Sequence, residues 1–308
     1  MSRDSISVVI VCHNEGELLQ RALDSVFAQS DQDFELVVVK NASTCEETLR
    51  ICRGLEGRRN VKVVFLPNNK GNLAARNVGF KVASGAILVP LDGDDTLPSH
   101  VVATTSAEFR LHPEADFVFG DYVLRNVDTG ETRLMDCSMA ADEQGWLIGR
   151  RFADGHMFIG SSPLRKKTWS RVGGCRGSMF GWQDVDFWMT VIGSGAKGHY
   201  VKKTLYEWHR QSTGVNANTP EWRLWEVHLR NRRFHRQVGG WEGIVEGFLD
   251  YADERYEKPE ARHLMQRQGW RLFPLPNSLW GQYTRVLIKC VVPLPLWKRW
   301  RHRHPEAG

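Results

Sequence analysis

Residues 85–95 read Gly85-Ala86-Ile87-Leu88-Val89-Pro90-Leu91-Asp92-Gly93-Asp94-Asp95, an apolar run that ends in three closely spaced carboxylates. Bounded by glycines and of strand length, the run predicts an interior strand that delivers its acids to the carboxyl edge of a sheet. Open α/β sheets bind their ligands at that edge. Crowded carboxylates repel one another unless a hard cation lies among them. Mg²⁺ or Mn²⁺ held by one or two acids and by phosphate oxygens is the usual arrangement. Taken alone, Asp92-Gly93-Asp94 suits an acidic turn or a helix cap equally well.

The flanking sequence supplies the rest of an α/β pattern. Ile6 to Val11 is a β-branched run ending in Cys12-His13-Asn14-Glu15, followed by Leu18, Leu19, Ala22, Leu23, Val26 and Phe27 at helical spacing. Phe34 to Val39 and Val61 to Phe65 predict two more strands. Thr44 to Leu55, with Glu46 and Glu47 in its first turn, and Leu73 to Ala83 predict helices. Strands and helices alternating at these lengths predict a largely parallel sheet covered by helices on both faces.

With these pieces in order, the chain resembles the family 2 nucleotide-sugar glycosyltransferases of GT-A fold over about its first two thirds. The anchors are Ser7-Val8-Val9-Ile10-Val11-Cys12-His13-Asn14-Glu15, Asn69-Lys70-Gly71 with Ala75-Arg76-Asn77, and Asp92-Gly93-Asp94-Asp95. Val172-Gly173-Gly174-Cys175 and Trp182-Gln183-Asp184-Val185-Asp186-Phe187-Trp188 complete them. Each is weak alone; their order and spacing are specific. The resemblance implies a GT-A, Rossmann-like α/β domain over residues 1–215 and a helical C-terminal extension over 216–308. It also implies an inverting, metal-dependent transfer of a sugar to an acceptor hydroxyl.

Each implied role has its own physical argument. Asp94 is the expected ligand of Mn²⁺ or Mg²⁺, whose charge would stabilise the departing nucleoside diphosphate. His209, after Leu205-Tyr206-Glu207-Trp208, stands where relatives place a group that closes over the diphosphate, as a second metal ligand or phosphate contact; an ordinary surface histidine is the other reading. Cys12, Asn14, Glu15, Asn41, Arg76 and Asp92 are the expected contacts to the nucleotide-sugar, with Arg76 toward phosphate or base oxygens and Asp92 toward the ribose. Asp184 matches the second acid of the family's pair, where Gln183 replaces the first. It is the expected general base, since a carboxylate near the acceptor hydroxyl can take its proton; capping of a helix is its other use. Gly160-Ser161-Ser162 leaves room for a sugar or makes a turn.

One departure bears on donor choice. Many relatives have Asp-Asp-Gly-Ser after the second strand, whereas this chain has Lys40-Asn41-Ala42-Ser43. Asn41 still offers an amide oxygen to a base N–H but brings no negative charge and can also donate. A UDP-sugar is the expected donor because it is commonest in the family.

The 308 residues carry a net charge of +5 and suit one α/β core with an appendage. Six cysteines lack paired metal-site spacing, and Met1-Ser2-Arg3-Asp4 runs into a strand without a secretory signal, so a reducing cytoplasmic setting is expected. Helices are predicted over Glu221–Arg236, Trp241–Tyr256 and Pro259–Trp270, an appendage of the kind such transferases use to shape acceptor sites or to form homo-oligomers. The last stretch, Trp280 to Trp297, is apolar but broken by Arg285, Lys289, Pro293 and Pro295, too short for a membrane span, and leads into Lys298-Arg299-Trp300-Arg301-His302-Arg303. Interleaved aromatics and cations suit an anionic membrane surface; a tail packed on the body with a solvated basic end suits them as well. Nucleic acid is not expected, because the basic run is brief and no binding motif accompanies it. Expected acceptors are glycans, glycolipids or surface polysaccharide intermediates. A sugar nucleotidyltransferase would need a Gly-rich phosphate loop after the first strand, which Cys12-His13-Asn14-Glu15 is not. A non-catalytic sugar-nucleotide-binding protein is the remaining reading, supported by Lys40-Asn41 and opposed by Arg76, Asp92, Asp94 and Asp184 together.

Overall fold

The computed structural model describes residues 5–155, 160–176, 181–211, 219–273, 275 and 277–291. The chain forms two compact units, Met1–Asn218 and Thr219–Gly308.

In the first unit β1 (Ile6–Cys12), α1 (Glu17–Phe27), β2 (Phe34–Asn41), α2 (Glu46–Gly54), β3 (Val61–Leu66), α3 (Asn72–Val82), β4 (Ile87–Asp92) and α4 (Val101–Leu111) alternate as the hydrophobic pattern predicts. There follow β5 (Phe117–Asn126), β6 (Thr132–Met135), α5 (Gly149–Ala153), β7 (Leu164–Arg165), α6 (Lys166–Arg171), α7 (Gln183–Ile192) and β8 (Gly198–Arg210). All seven residues of β1 are buried, as befits a central strand covered on both faces. Helix α1 turns Leu19, Ala22, Leu23 and Val26 inward, one stripe at helical spacing. Helix α3 lies close on the sheet because residue 79 is glycine: a Cβ there would come within 2.5 Å of Val9 Cγ1 and 3.0 Å of Val39 Cγ2.

The sheet runs β3-β2-β1-β4-β7-β5-β6, with β8 beside β5. The first four strands are parallel. The two-residue β7 then pairs antiparallel with both β4 and β5, so β5 and its parallel partner β8 run in the direction of β4. Among the described residues six of the eight strands therefore run in one direction, with β6 and β7 reversed, so the sheet is largely parallel as expected. One consequence is functional: the ends of β1, β2, β4 and β8 share one edge, while the starts of β5 and β8 lie at the other.

The second unit is helical: α8 (Glu221–Arg230), α9 (Arg232–Val238), α10 (Trp241–Glu254), α11 (Pro259–Gln268) and α12 (Trp280–Val291). The single helix expected over Glu221–Arg236 breaks at Asn231, whose side-chain amide donates to the Val227 carbonyl at 2.9 Å; asparagine competes with the helical ladder in this way. Val245, Phe248, Leu249, Leu264, Met265, Val286 and Cys290 form part of this unit's core. Helix α12 is thus packed into a bundle along its inner side, and Lys289 Nζ lies 2.6 Å from Asp253 Oδ1. Among the described residues no helix is long and apolar enough to cross a membrane. Trp297 and the basic run Lys298–Arg303 lie outside the described residues.

Candidate active site

Strand β4 ends at Asp92, and the turn after it places the three acids in different surroundings. Asp92 Oδ1 accepts from Arg76 Nη2 at 2.5 Å and from Asn72 Nδ2 at 3.0 Å, both on α3. Asp94 is part-buried; burial, then the charge of Asp92 and that of Glu15, push its carboxyl up to about 6, partly offset by backbone hydrogen bonding and Arg21. Arg21 also donates to the Asp94 carbonyl at 2.6 Å. Asp95 is 3 % exposed and turned inward. Its Oδ2 accepts from the Tyr206 hydroxyl at 2.7 Å and its Oδ1 from the His209 backbone N–H at 2.7 Å. Asp95 therefore fastens the β4 turn to β8, leaving Asp92 and Asp94 as the acids of the edge.

His209 follows from that fastening. Its imidazole is buried, its Nδ1 has no hydrogen-bond partner and lies 3.9 Å from Asp95 Oδ1. Burial, and next the charge of Arg21, lower its pKa, which favours the neutral ring. Asp92 and Asp94 are oxygen donors of the kind that Mn²⁺ or Mg²⁺ takes, whereas the His209 nitrogen lies against the inward-turned Asp95.

Asp184 is the second residue of α7, and Trp182 before the helix has left-handed backbone, φ 52°. Burial raises the Asp184 pKa most; the Val185 N–H and then Arg76 pull it down, and Asp92 raises it again. Arg76 and Asp92 thus lie within electrostatic reach of Asp184, which ties α7 to the β4 edge. Gly160 abuts this carboxylate so closely that a Cβ would come within 2.5 Å of Asp184 Cβ, and Trp188 Nε1 donates to the Gly160 carbonyl at 3.0 Å. The smallness of Gly160 serves Asp184 in the first instance, while Ser161 and Ser162 are buried.

Three expected donor contacts also have partners within the protein. Arg76 is 5 % exposed; its Nη2 holds Asp92, while its Nε is buried without a hydrogen-bond partner. Cys12 is 1 % exposed; its thiol faces the Val39 carbonyl at 3.6 Å and Cys52 Sγ at 3.8 Å, within the core. Asn41 is buried, its Nδ2 donating to Asn69 Oδ1 and its Oδ1 accepting from the Lys70 N–H, both at 2.9 Å. Its amide secures the Asn69-Lys70-Gly71 turn. Asn14 Oδ1 accepts from Ser43 Oγ, Thr44 N and Cys45 N and so fixes the loop after β2. Glu15 takes the His13 N–H at 2.5 Å, and its carboxyl is raised chiefly by burial.

Asn77 explains why two distant motifs occur together. Its Oδ1 accepts from Cys175 N and Trp169 Nε1, and its Nδ2 donates to the Cys175 carbonyl. Gly174, at φ +78°, comes so near that a Cβ would lie 2.9 Å from Asn77 Oδ1. Tyr206, Asn72 and Asn77 carry much of the edge's geometry, and only the strand-to-acid pairing in three dimensions marks the first two.

The family model described as "Glycosyl transferase family 2" matches residues 7–183. An "Uncharacterized glycosyltransferase" of Haemophilus influenzae is 27% identical over 152 residues, 49% of this chain and 60% of that protein. A "PGL/p-HBAD biosynthesis glycosyltransferase" of Mycobacterium bovis is 31% identical over 130 residues, 42% of this chain and 50% of that protein. The chain thus spans less than two thirds of these relatives' length. Among solved structures, residues 1–349 of S. aureus TarS in complex with UDP-GlcNAc superpose with a TM-score of 0.64 at 17% identity, covering 94% of this chain and 82% of that one. At that identity the likeness speaks for the fold.

Proposed function

The chain belongs to glycosyl transferase family 2, and from that premise we propose that it transfers a sugar from a nucleotide-activated donor to an acceptor hydroxyl with inversion at the anomeric carbon. The observation that carries this reading is the convergence of Asp92, Asp94 and Asp184 on the carboxyl edge of β4, linked through Arg76. The TarS complexes with UDP-GlcNAc and UDP support a UDP-sugar as donor.

Asp94, with His209 as a further candidate ligand, would hold Mn²⁺ or Mg²⁺, which supplies positive charge for the diphosphate as it leaves. Arg76 and Asn72 fix one oxygen of Asp92 and leave the other to face the donor's ribose or a bridging water. Asp184 takes the acceptor's proton as its oxygen attacks, and the raised pKa brings this carboxylate nearer to what a base at neutral pH needs. The segment at Gly160 holds the base in place from the other side. Glycans, glycolipids or surface polysaccharide intermediates are the acceptor class we favour.

Asp184→Asn tests the assignment. The variant is expected to bind nucleotide like the parent, read as thermal stabilisation by UDP, GDP, CDP or dTDP with and without Mn²⁺. Its transfer rate should fall by several orders of magnitude, on the order of 10³-fold. Transfer within about tenfold of the parent, a barrier change of only ~1.4 kcal/mol, would leave Asp184 as a helix cap.

A further inference from the structure

A second group of metal-competent side chains lies at the opposite edge of the same sheet, and no step of sugar transfer uses it. Glu108 and His112 stand four residues apart at the C-terminal end of α4 and share a face. His199 is the second residue of β8. Their ligand atoms all lie within 4.8 Å of one another. Glu108 Oε2 is 3.4 Å from His199 Nδ1 and 4.0 Å from His112 Nε2.

The surroundings of His199 point to an occupant. The residue is 7 % exposed. Its Nε2 lies 3.2 Å from the Gln144 carbonyl, which can only accept, so Nε2 carries the proton. In the neutral ring Nδ1 then offers a lone pair, and it is buried without a hydrogen-bond partner. That lone pair faces a carboxylate oxygen at 3.4 Å, an arrangement of two acceptors that a cation between them resolves. Seating one ring nitrogen on a backbone carbonyl is how proteins orient metal-ligating histidines. The carbonyl is itself fixed: Asp142 Oδ1 accepts from Gln144 N at 3.0 Å and Trp146 N at 2.8 Å. Gly145, at φ +88°, lets this loop close on the ring, since a Cβ there would lie 2.8 Å from His199 Nε2. The imidazoles of His112 and His199 stack at 3.7 Å between centroids, and Trp146 packs edge-on against both.

We propose that Glu108, His112 and His199 bind a zinc ion that ties the end of α4 to the start of β8, separate from any ion held at Asp94. Two imidazoles and one carboxylate suit Zn²⁺ better than the all-oxygen preference of Mg²⁺. Tetrahedral bonds of roughly 2.0 to 2.1 Å place ligand atoms about 3.3 Å apart, so atoms now within 4.8 Å of one another must draw in and the stacked His112 ring must turn for both imidazoles to reach one ion. The side chains of Glu108 and His112 are 18% and 24% exposed, which leaves the fourth position to water. A cation here also meets the carbonyl end of α4. His199 pairs with Val118 on β5, whereas His209 pairs with Arg125, seven residues further along; that is roughly 23 Å of strand. An ion at this edge is structural and out of reach of the donor.

The test uses the full chain, freed of any affinity tag, stripped with chelator and kept without nucleotide. Zn²⁺ titration should give one tightly bound ion per chain and a raised melting temperature in the parent and in Asp94→Ala alike. Glu108→Gln and His112→Gln alter part-exposed side chains, so their metal-free melting temperatures should stay near the parent's. Their Zn²⁺ affinity should drop by at least about a hundredfold, the upper range for loss of an outer partner alone. A folded parent that binds no Zn²⁺ overturns the proposal. Undiminished Zn²⁺ binding by both variants overturns it equally.

Discussion

Asp94 holds the sharpest electrostatic conflict at the donor edge, and the sign of that conflict can be measured. Its carboxyl rises from an ordinary value of 3.8 to about 6, through burial first and Asp92 next. Between those values the folded chain keeps a proton that the unfolded chain has released, so metal-free stability declines as pH rises across the window. Two full units would correspond to about 3 kcal/mol, and screening at this part-exposed position reduces that to on the order of 1 kcal/mol. Asp94→Asn removes the charge. In chelator it should melt a few degrees above the parent at about pH 7 and show no advantage below about pH 4. Parallel melting curves for the two proteins across that range would show that Asp94 is solvated well enough to need no cation. The same residue scale shows what the motif conveys. Asp92, Asp94 and Asp184 are legible because a spacing names them; the direction of Arg76, Asn41 and Cys12 is not. At the end of a strand a shift of one residue sends a side chain to the other face, and Cys12 goes to the core. For Arg76 and Asn41 the deciding partners are Asp92, Asn69 and Lys70, which only the fold brings near.

The segment at Gly160 and helix α7 act as one element, because the glycine backbone lies directly on the Asp184 side chain. Gly160→Ala places a methyl within 2.5 Å of Asp184 Cβ, so either the segment or the carboxylate must move. Displacing a catalytic group by ~1 Å costs on the order of 10²-fold in rate. The expected result is a kcat lowered by about that factor, with nucleoside diphosphate affinity unchanged within about twofold, since the donor edge is built from other elements. A kcat equal to the parent's would mean that the segment yields without disturbing Asp184. Elements also differ in how openly the sequence states them. Strands β1 to β4 are continuous apolar runs closed by turn residues, which is how interior parallel strands read. Strand β5 passes from four buried residues to six half-exposed ones, and β7 has only two residues, so neither offers a period to count. The break at Asn231 is equally silent, because a helical period continues across it.

At the scale of the whole molecule the C-terminal basic run competes between a membrane surface and solvent, and the bundle determines which truncation can decide. Helix α12 buries Tyr283, Val286 and Cys290 in the second unit, and its Lys289 is paired with Asp253. Removing α12 would therefore unfold that unit and test nothing about lipid. Cutting after Val291 removes Lys298, Arg299, Arg301 and Arg303 while leaving the helix whole. Four such cations at an anionic surface contribute ~4 kcal/mol, close to a thousandfold in partitioning. Trp270, 55 % exposed with Arg232 and Arg271 at 5.4 and 4.8 Å from its ring, adds an aromatic and cationic surface on the same unit. The full chain should accordingly sediment with vesicles rich in anionic lipid, fail to do so with neutral ones, and detach as salt shortens the screening length from about 10 Å at 0.1 M toward about 3 Å at 1 M. The chain ending at Val291 should keep its melting temperature and lose most of the binding. If both forms are recovered equally with anionic vesicles, the basic run is solvated. If the shortened form instead melts lower without any loss of vesicle binding, the run packs on the body and the membrane reading fails.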